Sequence, residues 1–206
     1  MKIRLLALMC VFGMSFGSTQ AFASTTTDAS VSGSGMGFSS LPATTSLSPL
    51  SISQDGSWMS SYSSDPMSLT FYDSRGTGDG FTVSVQSSQL TEVAPAGGFA
   101  VGTTPLQMPK GSLILYAPSS IIAEGSTNAA ATPTITGVGY AAIDSTEYTL
   151  ATADPGKGMG SFTMNFAAGA IELGLSPSEI LVDDVNYSGV PTPYEAVLTW
   201  SINALP

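Results

Sequence analysis

Apolar side chains recur at every second position in short runs from Leu41 onward, and almost nowhere at the spacing of a helix. The clearest runs are Met67-Ser68-Leu69-Thr70-Phe71, Phe81-Thr82-Val83-Ser84-Val85 and Phe162-Thr163-Met164-Asn165-Phe166. A period of two sets one side chain inward and the next outward, as in a strand with one face on a core and one in water. Leu113–Tyr116 and Tyr148–Leu150 are weaker runs of the same kind. The final run, "YEAVLTWSINALP" at 194–206, puts Tyr194, Ala196, Leu198, Trp200 and Ile202 on one side. Gly, Pro, Asp and Ser clusters separate such runs roughly every 8 to 12 residues, as in sandwich domains. Only Ala167 to Leu175 is expected to make a helical turn or two, weakened by Gly169 and Gly174. The fold class expected is all-β, an antiparallel β-sandwich, with an immunoglobulin-like arrangement as one form of it.

The first residues stand apart from this texture. Lys2 and Arg4 precede an apolar run from Leu5 to Phe16, and Ala21-Phe22-Ala23 closes the segment with a small-x-small pattern. Residues 1–23 are therefore expected to be a signal peptide, removed after Ala23. The run is too short for a retained membrane span. Cys10 lies within it behind the bulky Met9 and is read as apolar filling, not as a lipid-attachment site. Residues 24–40, rich in Ser, Thr, Gly and Ala, are expected to form a flexible leader or a weak first strand. The sandwich domain is placed at 41–206.

Without residues 1–23 the chain carries no cysteine and no histidine, so a disulfide is excluded even in an oxidising compartment. Three cations, Arg75, Lys110 and Lys157, then face fifteen carboxylates, a net charge of −12 (three minus fifteen). Nucleic acid is excluded as a partner, because no basic stripe exists to release counterions. Adhesion to anionic lipid is excluded on the same ground. Contact with an anionic wall polymer would need bridging cations or uncharged groups.

Catalytic constellations are also missing. Ser-His-Asp and Cys-His sites cannot be assembled without histidine, and His/Cys zinc sites are ruled out with them. The carboxylates Asp144, Glu147, Glu172 and Glu179 have no spacing that pairs any two for acid–base work. No catalytic residue, cofactor site or metal site is expected. Calcium is the one ion the acidic residues Asp73, Asp79, Asp183 and Asp184 would suit, yet none sits in a dedicated calcium loop. The glycines of Gly76-Thr77-Gly78-Asp79-Gly80 resemble a phosphate-cradling loop, but a strand follows where that chemistry needs a helix. "GKGMG" at 156–160 fails the same test. The 73–80 segment reads as a hairpin connection, in which Asp73 and Arg75 form a local staple or a ligand contact.

Two of these stretches together resemble a known family. A hairpin of the form Asp-x-Arg-Gly, glycines, aromatic-x-aliphatic, combined with a closing Tyr-x-Ala-x-Leu-Thr-Trp-x-aliphatic run that ends in proline, is similar to the WxL domain of Gram-positive bacterial surface proteins. Trp200-Ser201-Ile202 stands at the distal Trp-x-Leu motif, with isoleucine for leucine. Phe81-Thr82-Val83 stands at the proximal one, with phenylalanine for tryptophan and valine for leucine. Asp73, Arg75 and Gly76 match the loop before it. The resemblance implies a secreted protein, held noncovalently at the cell wall, that binds peptidoglycan or another cell-wall polymer and acts beside other surface proteins. It makes Trp200, Ile202, Phe81, Val83, Asp73 and Arg75 the candidate motif or wall-binding residues.

Two functions follow as expectations. The first is a non-catalytic module that attaches to peptidoglycan. The alternative is a structural subunit of an extracellular layer, fibre or coat, whose strand edges pair between copies. A calcium-dependent adhesin is a third. Trp200 is either a core ring or a ring that opens one face to a sugar or peptide stem.

Overall fold

Alternation becomes burial wherever two strand faces meet. The computed structural model describes residues 34–42, 45–50, 55–176, 182–183, 186–187 and 190–206. The segment read as a signal peptide, most of the Ser/Thr/Gly leader, Glu179 and Asp184 lie outside the described residues. Every strand pairing among the described residues is antiparallel.

The first sheet has the order β1 (Met36–Ser40), β3 (Met67–Asp73), β11 (Gly160–Phe166), β7 (Ser120–Ala123). The second has the order β14 (Leu198–Ala204), β4 (Phe81–Ser87), β10 (Tyr148–Ala153), β8 (Thr134–Ile135). The third runs β2 (Met59–Tyr62), β12 (Ile171–Leu175), β6 (Leu113–Tyr116), β9 (Tyr140–Ala142). A two-stranded pair, β13 (Tyr194–Glu195) with β5 (Thr91–Glu92), completes the set. The one helical element among the described residues is a 3-10 turn at Ala129–Ala131, whose first free N–H group is capped by the Asn128 side chain.

The core forms where the first two sheets face each other. On β3, Met67, Leu69, Phe71 and Asp73 point inward, and on β11 Phe162, Met164 and Phe166 do the same. From the second sheet come Phe81, Val83 and Val85. Phe71 meets Phe81 edge to face, with ring centroids 5.8 Å apart and planes at 83°. That is the geometry favoured by the ring quadrupoles. On the outer face the same register brings Thr70 and Thr163 together, hydroxyl to hydroxyl at 3.0 Å. The expectation of an antiparallel β-sandwich is met.

Three local expectations change. Residues Ile171–Leu175, inside the stretch expected to be helical, form β12, and all five are buried. Ile171, Leu173 and Leu175 alternate with Glu172 and Gly174, so the period is two. The preceding Ala167–Ala170 turn reverses the chain through Gly169 at φ +79°. Within the leader, Met36–Ser40 is an ordered strand paired with β3, the weak first strand of the two forms expected. The final run is two strands, not one: β13 pairs with β5, and β14 pairs with β4. The chain passes between them at exposed Val197, whose N–H and carbonyl are both held by Ser88. The inward side nevertheless stays continuous, because Tyr194, Ala196, Leu198, Trp200 and Ile202 all pack on the core.

Candidate functional site

The two stretches that carry the family resemblance meet in space. β14 lies beside β4 with Ile202 opposite Val83, Trp200 opposite Val85 and Ala204 opposite Phe81. Phe81 and Val83 have no exposed surface. Trp200 and Ile202 are half-buried, and the indole packs on Phe166 of the opposing sheet at 6.0 Å and 61°. The inward position of Trp200 agrees with the apolar side read from the sequence. Phe81 and Val83, candidates on the family motif, present no surface outside the fold and serve the core here.

The 73–80 loop is a staple in the literal sense. The Arg75 Nε donates to Asp73 Oδ1 at 3.0 Å and Nη2 donates to Oδ2 at 2.7 Å, a two-pronged ion pair. The Arg75 backbone N–H adds a third bond to Oδ1 at 3.0 Å. Asp73 is 1% exposed and Arg75 18%. Burial pushes the Asp73 carboxyl up, but the Arg75 hydrogen bonds and charge outweigh it and hold the group below the usual carboxylate range. Asp73 is thus turned wholly toward its own loop, while Arg75 keeps part of its surface in water.

Arg75 also reaches the Gly80 carbonyl, where Nη2 donates at 2.9 Å. The same oxygen accepts the Leu205 N–H at 3.2 Å, so the hairpin loop and the closing segment share one acceptor. Gly80 sits at φ +81°, and a Cβ there would lie 2.2 Å from the Ala153 carbonyl oxygen. Gly80→Ala is therefore expected to destabilise the fold by more than about 1 kcal/mol, beyond the ordinary gain from a stiffer unfolded chain. A urea melt compared with Gly76→Ala, at a site with open space around it, checks this.

Two of the acidic residues considered for calcium are taken up by their own chain. Asp73 belongs to Arg75, and Asp183 accepts from the Asn186 backbone N–H at 3.0 Å and from its side-chain amide. Among the described residues no group of three or more His, Cys, Asp or Glu side chains is placed to hold a metal ion. Of the carboxylates considered for acid–base work, those among the described residues are engaged by their own chain. Asp144 accepts the N–H groups of Gly111, Ser112 and Leu113 at 2.9, 3.1 and 3.2 Å. Glu147 accepts from the Ser84 hydroxyl.

A second constellation escaped the sequence reading and lies on the outer face of the third sheet. Trp58, Ser60 and Tyr62 occupy alternate positions along β2 and the residue before it. Tyr62 pairs with Glu172, and Tyr116 pairs with Tyr140. Glu172 accepts from the Ser60 hydroxyl and the Tyr116 phenol, both at 2.6 Å. Burial pushes the Glu172 carboxyl up, but donation from Ser60, Tyr116 and Tyr62 outweighs it and holds the group below its ordinary value, so the carboxylate form is favoured. Its hydrogen bond in turn pushes the Tyr116 phenol up to about 12, keeping that group a neutral donor. The rings around the acid are open to solvent: Trp58 is 58% exposed, Tyr62 48% and Tyr140 65%. A cavity of about 270 Å³ opens between Tyr62 and Tyr116 over the small residues of the Ala167–Ala170 turn. Sequence spacing alone hides this set, because the rings come from three segments spread over some eighty positions. The one available signal was Trp58 and Tyr62 in the Ser-rich run 57–64, where Met59 is the only other apolar side chain.

Comparison with known proteins now bears on this geometry. A family model described as the WxL domain, surface cell wall-binding, matches residues 14–206. No curated protein and no solved structure matches the chain. With nearly the whole length matched, the chain belongs to the WxL domain family of surface cell wall-binding proteins.

Proposed function

We propose that this protein is a secreted, non-catalytic surface protein that attaches noncovalently to peptidoglycan in the wall of a Gram-positive bacterium. The family match over residues 14–206 carries the reading. Three further features support it. The N-terminal segment has the composition of a signal peptide. Asp144, Glu147 and Glu172 are occupied by donors of their own chain, which leaves none of the three poised for proton transfer. The sheet edges β1 and β14 approach one another at a few positions, as do β7 and β8, which partly covers the edges that a self-assembling subunit would use.

Sedimentation with purified sacculi, with and without wall teichoic acid, tests the reading. The protein is expected to pellet with both preparations, and equally in calcium and in chelator. Alone it is expected to remain a monomer. Sedimentation without sacculi would favour the layer-subunit alternative instead.

Trp200 is proposed to act through the fold. Trp200→Ala is expected to lower stability by about 2–3 kcal/mol, somewhat under the ~3–5 kcal/mol of a fully buried ring. Trp200→Phe keeps a ring against Phe166 and should retain both folding and sedimentation. A Trp200→Ala protein that melts normally but no longer pellets would make the indole a direct wall contact.

A further inference from the structure

The aromatic face of the third sheet is unlike the rest of the surface. One of the two tryptophans in the chain and two tyrosines stand together largely in water, where they stabilise the fold little. They are nevertheless held in place. The Trp58 Nε1 donates to Ser60 Oγ at 3.2 Å, and that hydroxyl donates onward to Glu172. Tyr116 is fixed by the same carboxylate, and Tyr140 leans on Tyr116 with ring centroids 5.7 Å apart and planes at 53°. Gly174 lies under the indole, and a Cβ there would be 2.7 Å from the Trp58 Cζ2. Glycine at this strand position is what lets the indole approach the sheet. Rings fixed before binding lose little freedom when a ligand arrives.

The chemistry of the face selects its ligand. None of Trp58, Ser60, Tyr62, Tyr116, Tyr140 or Glu172 is a cation, so a phosphate-bearing polymer finds no counter-charge among them and meets an acid instead. Glu172 is satisfied by hydroxyl donors, so a basic peptide gains little from it. A pyranose ring fits what remains. Its axial C–H groups carry slight positive charge and sit well on an electron-rich ring face, while its hydroxyls reach phenol and carboxylate oxygens at the ring edges. The depression beside Tyr62, floored by Ala117 and the Ala167–Ala170 turn, adds an open apolar recess next to the rings. From β2 to β9 is three strand spacings, about 14 Å at roughly 4.8 Å each, which gives room for more than one ring.

We propose that the outer face of the β2-β12-β6-β9 sheet is a glycan platform, on which Trp58, Tyr62 and Tyr140 stack consecutive sugar rings of the wall's glycan strand. The assignment rests on the wall-attachment reading and names the surface that performs it.

The test uses two probes on the full chain: peptide-free glycan strands released from sacculi, and isolated stem peptides. Binding is read by tryptophan fluorescence and by sedimentation with intact sacculi. The wild type is expected to bind the strands and not the stem peptides. Tyr140→Ala and Trp58→Ala should each weaken strand binding by at least about tenfold, as for an aromatic anchor. Tyr140→Phe retains the ring and should bind normally, and Val101→Ala, at a fully exposed apolar site elsewhere, should change nothing. Melting curves accompany each variant, and Tyr140→Ala, at the most exposed of the three rings, should melt as the wild type does. Sedimentation that persists unchanged in Tyr140→Ala and Trp58→Ala would overturn the platform and leave wall attachment standing. Binding that follows the stem peptides would do the same. Strand binding lost in Tyr140→Ala, without sedimentation of the wild type, would keep the platform and remove wall attachment. No response of the wild type to strands or sacculi would remove both.

Discussion

Phe81→Ala should lower the stability of the domain by about 3–5 kcal/mol, the range for deleting a fully buried aromatic ring. The ring has no exposed surface and meets Phe71 edge to face across the two sheets. Its other side is closed by Gly158, where a Cβ would lie 2.5 Å from the Phe81 Cε1. The cavity left by alanine would thus have walls that are mostly backbone and rings, which collapse poorly. The same tight wall decides the reverse change. Phe81→Trp restores the residue of the family's Trp-x-Leu pattern but overfills the site, and should itself cost about 1–3 kcal/mol. Denaturant melts of both variants check this. A tolerated Phe81→Trp that strengthened sedimentation with sacculi would mean that the side chain reaches the surface after all.

Arg75→Ala should come close behind, at about 3 kcal/mol, the low end for breaking a buried pair, because it leaves the Asp73 carboxylate, 1% exposed, with only the residue-75 backbone N–H. Lys110→Ala and Lys157→Ala, at exposed positions, should stay within about 0.5 kcal/mol of the wild type. Removing both partners should be milder than removing Arg75 alone, since no buried charge is then left without a match. The pH dependence gives an independent reading. Asp73 has a depressed pKa in the folded state, so the unfolded chain binds its proton more tightly. Its contribution is present above the unfolded value of about 3.9 and is lost as the pH falls through the depressed folded value. The gap between wild type and Arg75→Ala should therefore narrow in acid. A gap that stays constant from neutral pH to about pH 2, below ordinary carboxylate values, would place the effect outside the ion pair.

What was legible from the residues was the part governed by local pattern. The runs at Met67, Phe81 and Phe162 alternate cleanly between a dry and a wet face, and each forms a strand over the expected positions. β12 was missed because alanines and glycines around Ile171–Leu175 obscured an alternation that was present. β2 was missed because Met59-Ser60-Ser61-Tyr62 offers little apolar contrast. Neither the sheet order nor the split of the final run at Val197 is written locally, since both depend on which distant edge a strand meets. The Asp73–Arg75 staple was readable because its partners are two positions apart. The aromatic face was not, because Trp58, Tyr62, Tyr116 and Tyr140 become neighbours only once β2 and β9 flank β12 and β6.

The same long-distance wiring has a kinetic consequence. Tyr62 finds Glu172, and Phe81 finds Ala204, across more than a hundred positions each. Such loops must close before any contact repays the lost chain entropy, which places β-sandwich folding in the range of about milliseconds to seconds. β4, the strand that carries the largest share of the core from the second sheet, gains its β14 neighbour only when the closing segment is available. Until β14 docks, β4 is paired on its β10 side alone and its other edge has no partner strand.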